Sequence, residues 1–61
     1  RARNIVMEAT GCDPETAEKA MAQAGNHAKT AITMILADCT AEEARERLNR
    51  AKGHVRYAIR L

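Results

Sequence analysis

The sequence has no tryptophan and no phenylalanine, and its one aromatic residue is Tyr57. A core without large rings must be assembled from Ala, Ile, Leu, Met and Val. Alanine supplies 13 of the 61 residues, so helices that pack here must approach closely. Proline occurs once, at Pro14, and glycine three times, too few for a loop-rich or low-complexity chain. No apolar run approaches the roughly 18 residues that cross a bilayer, so no membrane role is expected. No secretory signal pattern is present, and the two cysteines, Cys12 and Cys39, are therefore expected as reduced thiols in a cytosol.

What remains is a small globular chain. Its 46% apolar and 30% charged residues are an ordinary balance for a folded domain. At this length folding buries only about 60% of the unfolded surface, so stability is marginal. There is no room for separate catalytic and cofactor domains. The chain begins at Arg1 with no initiator Met, and a piece of a longer protein is expected.

Charge is unevenly spread. Residues 1–44 hold four basic and seven acidic side chains, and residues 45–61 hold six basic side chains against Glu46. The C-terminal quarter is thus a basic segment, which reads first as a solvated helix surface and second as a contact for an acidic partner or a phosphate.

Apolar spacing is helical nearly throughout. Ala2, Ile5, Val6 and Ala9 define a first helix over 2–10, broken by Thr10-Gly11-Cys12. Asp13-Pro14-Glu15 starts a second helix, with Asp13 as N-cap and Pro14 at the first helical position. Ala17, Ala20, Met21 and Ala24 form its inward stripe, and Gly25-Asn26 ends it. A third helix runs over 28–37. Thr40-Ala41-Glu42-Glu43 is a capping box for a fourth, whose stripe is Ala44, Leu48 and Ala51. Lys52-Gly53 ends that helix, and a fifth holds Val55, Ala58 and Ile59. No strand pattern appears.

The chain also repeats itself. A shift of 27 residues brings nine identities into register, among them Ile5 with Ile32, Cys12 with Cys39, Ala17 with Ala44, His27 with His54 and Ala31 with Ala58. Lys29 then meets Arg56 and the cap Asp13 meets Thr40. Helix one maps on helix three, two on four and three on five. The third helix therefore belongs to both copies and must bury more than one face, which its Ala28, Ala31, Ile32, Met34, Ile35 and Leu36 allow. The expected fold is all-α: five short helices in two overlapping three-helix units that share the central third.

A three-helix unit with a Gly loop after its first helix, here Thr10-Gly11-Cys12, and a Gly25-Asn26-His27-Ala28-Lys29-Thr30-Ala31-Ile32 entry to its third resembles the ubiquitin-associated (UBA-like) fold. A resemblance over the whole chain is closer. Arg1-Ala2, Ile5-Val6, Ala9-Thr10-Gly11-Cys12, Lys29-x-Ala31-Ile32-x-Met34, Ala41-Glu42-Glu43-Ala44-Arg45 and Gly53-His54-Val55-Arg56 are similar to the C-terminal helical domain of bacterial N-acetylmuramic acid 6-phosphate etherases. More distantly, they resemble the helical lid of glucokinase regulatory protein. The departures are His54, where an apolar aromatic is expected, and His27, where an acidic or amide cap is usual. The resemblance implies a parent lyase that cleaves the D-lactyl ether of N-acetylmuramic acid 6-phosphate in the cytoplasmic recycling of cell-wall sugar. It implies that catalysis belongs to a sugar-isomerase-type domain absent here. This chain would then be an appendage covering the active site or supporting a subunit interface, its partners being the rest of the enzyme and a second subunit. No catalytic residue carries over and no cofactor is implied.

Candidate residues are weighed on that basis. Lys29 and Arg56, the basic pair of the repeat, read as solvated surface or as a contact to a phosphorylated sugar or acidic partner. Gly11 and Met34, with Met7, lie in the region UBA-like modules use for partners, although core packing is the weightier reading for the methionines. Cys12 and Cys39 each precede an N-cap and are expected to pack on Ala17 and Ala44. With His27 and His54 they lack the close ligand pairs of a zinc module, and no metal site is expected. The two histidines are expected to cap helices three and five by accepting a backbone N–H. A stand-alone UBA-like interaction module is the alternative function. A helix-turn-helix using residues 45–60 would need a base-reading set that does not accompany these arginines. An enzyme contained wholly in this chain is not expected, since no nucleophile–base pair at helical spacing, Gly-rich phosphate loop or buried-carboxylate dyad is visible.

Overall fold

Five helices follow one another along the chain in a computed structural model that describes residues 2–60: α1 Ala2–Thr10, α2 Pro14–Gln23, α3 Ala28–Ala37, α4 Ala41–Arg50 and α5 Val55–Ala58. Local chemistry sets their starts. Asp13 accepts the Thr16 backbone N–H at 2.9 Å with Pro14 at the first helical position, satisfying one of the donors a helix start leaves bare. Thr40 accepts the Glu43 N–H at 3.1 Å, and the Glu43 carboxylate accepts the Thr40 N–H at 3.1 Å, closing the expected capping box.

The repeat is visible in the backbone. Asp13 and Thr40 have φ, ψ of −79, 167 and −74, 166. His27 and His54 have −97, 108 and −92, 106. The turns after α2 and α4 each use two consecutive left-handed residues, Gly25 and Asn26 in one, Lys52 and Gly53 in the other. In both, the second residue donates its N–H five residues back, Asn26 to Met21 at 2.8 Å and Gly53 to Leu48 at 2.7 Å. A side chain in this region costs on the order of 1 kcal/mol; each turn places a glycine at one of its two positions, and Asn26 and Lys52 take the other.

Packing follows the shared-helix plan. The α1 and α2 helices pack on each other and on α3, and α4 and α5 pack on each other and on α3. Among the described residues, contact between these two pairs is slight. Five consecutive residues of α3, Thr30 to Met34, are buried, more than a full turn, so the helix is covered on all sides there. The Cα radius of gyration is 10.0 Å, close to the ~10.5 Å that scaling gives for one packed body of this length. Six of the eleven buried apolar side chains among the described residues are alanines: Ala17, Ala20, Ala24, Ala31, Ala44 and Ala58. Larger inward side chains would hold the axes further apart.

The structure corrects several details. Ile5 is 56% exposed and Ala9 is exposed, although both sit on the expected stripe. The covered side of α1 is instead Val6, fully buried, with Ala2, Met7 and Thr10 partly buried. The α1 helix meets α2 and α3 on one flank, and Met7 and Ile5 lie on opposite flanks of Val6. In α3, Leu36 is 45% exposed and Ala28 and Ile35 are half-buried. Their expected places are taken by Thr30 and Thr33, at 1% and 0% exposure. Threonine suits this interior because its hydroxyl finds a partner inside the helix: Thr33 donates to the Lys29 carbonyl at 2.8 Å. Neither histidine caps its helix with a side-chain hydrogen bond. The His27 ring is held by the buried Thr30 hydroxyl, 2.6 Å from Nδ1. Finally, α5 has only four residues, too short for the recognition helix a helix-turn-helix would require.

Candidate functional site

The first turn of α3, the Gly53-His54 loop and the first three residues of α5 border an open groove of about 580 Å³ lined by Lys29, Gly53, His54, Val55, Arg56 and Tyr57. Lys29 projects from α3, and its ammonium donates to the Gly53 carbonyl at 3.3 Å, bringing the helix to the loop before α5. The His54 and Tyr57 rings meet edge to face, with centroids 5.8 Å apart and planes at 81°, a favoured aromatic geometry. From outside the groove, the Arg47 guanidinium donates to the Ala58 carbonyl at 3.2 Å. That bond satisfies an end carbonyl of α5 and places a cation at its negative end.

Of the residues singled out from sequence, Lys29 and Arg56 are brought together here. Gly11 and Met34 lie elsewhere. Gly11, in the α1–α2 turn, faces open space. Met34 is 7% exposed and borders a separate depression of about 300 Å³ beside Ile35, Cys39 and Lys19. Met7 is half-buried against the same core. The core reading of both methionines is the one that fits.

Sequence reasoning missed His54 and Tyr57 as groove residues. His54 is the N-cap of α5 and Tyr57 lies three residues on, a spacing that brings side chains together along a helix, so a signal was present.

Cys12 and Cys39 are both free thiols, partly buried against the cluster that contains Ala17 and Ala44. Burial pushes the Cys39 thiol above its ordinary pKa, and Arg47 opposes this only in part. Asp13 is held below the usual carboxylate range by its hydrogen bonding to Thr16. Among the described residues no three His, Cys, Asp or Glu side chains gather as a metal would require. No helix there is long and apolar enough to cross a membrane.

Over 59 residues, 97% of its length, the chain is 58% identical to N-acetylmuramic acid 6-phosphate etherase of Mycolicibacterium smegmatis. The same-named protein of Aeromonas hydrophila is 58% identical over 55 residues, and that of Geobacillus sp. is 52% identical over 59. The chain matches a segment of N-acetylmuramic acid 6-phosphate etherase. It spans about a fifth of the length of these relatives, 20%, 18% and 20% in turn. No family model matches the chain, and no solved structure matches it. The resemblance read from the sequence motifs to these etherases is thus found again at high identity, in a chain that is helical throughout its described elements.

Proposed function

We propose that this chain is the C-terminal, UBA-like helical domain of an N-acetylmuramic acid 6-phosphate etherase, a cytoplasmic lyase of cell-wall amino-sugar recycling. The domain performs no chemistry itself. It covers the active site formed by the rest of the enzyme or supports the subunit interface. The observation carrying this is the match itself: nearly all of the chain aligns at 50–58% identity, yet with only about a fifth of each relative.

Two structural features support the reading. Ile5, Leu36 and Tyr57, at 56%, 45% and 54% exposure, are large apolar side chains left uncovered, surface that the remaining four-fifths of an etherase has the bulk to cover. The groove where polar side chains converge holds cations and no carboxylate, so it offers no carboxylate pair for ether cleavage. Lys29 and Arg56 are the contact residues toward substrate or partner. The stand-alone interaction module draws no such support, since the Met34 side chain it would use is buried.

The decisive experiment removes this segment from a full-length etherase and measures turnover and oligomeric state by light scattering. Turnover should fall at least tenfold or the oligomer should dissociate, and adding the 61-residue chain in trans should restore part of the loss. A truncated enzyme with unchanged turnover and assembly overturns the proposal.

A further inference from the structure

We propose that α5 is a strap that releases from the bundle as a unit while the other four helices stay packed. Length is the first reason. Its four residues make barely one turn, and helices shorter than about 12 residues are marginal alone in water. The α5 helix therefore exists only while it is docked. The repeat sharpens the contrast, because the helix in the same place in the first unit is α3, with ten residues.

The docking is light and stands apart from the core. One contiguous cluster holds nine of the eleven buried apolar side chains among the described residues, and the two outside it are Leu48 on α4 and Ala58 on α5. Ala58 is the one buried residue of α5. Val55 packs against the core cluster but is only half-buried, and Arg56 and Tyr57 are exposed. Two polar clasps add to this hold. The Lys29 ammonium of α3 donates to the Gly53 carbonyl at 3.3 Å, and the half-buried Arg47 guanidinium of α4 donates to the Ala58 carbonyl at 3.2 Å. One grips the chain just before the strap and the other grips its last residue. Between α4 and the strap lie Lys52 and Gly53, with φ of 56 and 82, a short loop of the kind that absorbs a hinge rotation. Release carries Arg56 and Tyr57 away from Lys29 and uncovers the parts of α3 and α4 on which α5 packs. A partner that touches both α3 and α5 holds the strap shut, and one that takes its place on α3 and α4 holds it open. The device belongs to the fold and is independent of the etherase assignment.

The test is native-state hydrogen exchange on the 61-residue chain. It is read by NMR at the amides of Tyr57, Ala58 and Ile59, which donate to the His54 and Val55 carbonyls, and at Thr30 to Met34. Two kinds of substitution separate release from global unfolding. Asp13→Ala removes the α2 cap, which is intact whether the strap is shut or open. It should speed exchange at Thr30 to Met34 about fivefold and leave the strap amides unchanged. Arg47→Gln removes a clasp that only the shut form has. It should speed all three strap amides by one common factor of about five, and Lys29→Gln should act likewise. Circular dichroism shows that each variant is folded. Equal acceleration of strap and core by Asp13→Ala overturns the proposal, because α5 then opens only with the whole molecule. So do strap amides that neither clasp variant accelerates, or that respond by unequal factors, as residue-by-residue fraying would give.

Discussion

Thr40 shows how much one side chain does in a domain this small. Its hydroxyl and the Glu43 carboxylate together satisfy two backbone donors at the start of α4. Thr40→Ala should lower the unfolding free energy by about 1 kcal/mol in urea titration, a sizeable share of what 61 residues can muster. Asp13 performs the equivalent service for α2 but titrates. Its folded pKa lies below its ordinary value of 3.8, so the stability it contributes is present above that value and lost as pH falls through the lower folded one. Melting temperature measured from pH 5 to pH 2 should fall at the acid end, and Asp13→Asn, which keeps an acceptor without the charge, should lessen that fall. Cys39 acts at the other limit. With its pKa raised by burial, it should react with iodoacetamide at pH 8 more slowly than cysteine in an unfolded peptide. The caps were readable in advance because Asp13-Pro14-Glu15 and Thr40-x-x-Glu43 are purely local signals. The roles of the histidines were not: the Thr30 hydroxyl that holds His27 is buried by tertiary contacts, and no pattern of neighbours along the chain announces that.

At the scale of the helix, the alanines set the tolerances. Ala31 is fully buried on α3, where other helices press close. Ala31→Leu should destabilise by roughly 1–3 kcal/mol through overpacking, visible as a lowered urea midpoint with an unchanged slope. Thr33 offers the contrasting case. Its counterpart 27 residues earlier is Val6, and both are at 0% exposure. The repeat therefore predicts that valine fits at 33, and because the Lys29 carbonyl loses only a hydroxyl partner, Thr33→Val should stay within about 1 kcal/mol of the parent. Helix periods and boundaries were legible from apolar spacing, whereas the inward flank of α1 was not. Ile5 and Val6 are equally apolar, and only the placement of α2 and α3 decides that Val6 is covered while Ile5 remains in water.

At the scale of the molecule, stability should be graded around α3. It is the one helix that packs against all four others, while α5 has four residues anchored by α3, α4 and the Arg47 bond to Ala58. Native-state hydrogen exchange should find the slowest amides at Thr30 to Met34 and the fastest helical ones in α5. Equally slow exchange in α5 would mean that the two units are held together more evenly than this packing implies. The 27-residue period already calls for a third helix with more than one covered face, because a copy that begins inside its predecessor must reuse a helix. The groove was half visible: the period pairs Lys29 with Arg56, but only the fold of the 52–54 turn sets them around one space.

The turns at 25–26 and 52–53 have one more consequence, for how such a chain grows. Each block of 27 residues adds two helices and borrows its third, so a length reached by inserting whole blocks always has an odd number of them. Three is the smallest such polypeptide, this one is the next, and a sibling with seven would carry two interior helices where this protein has one.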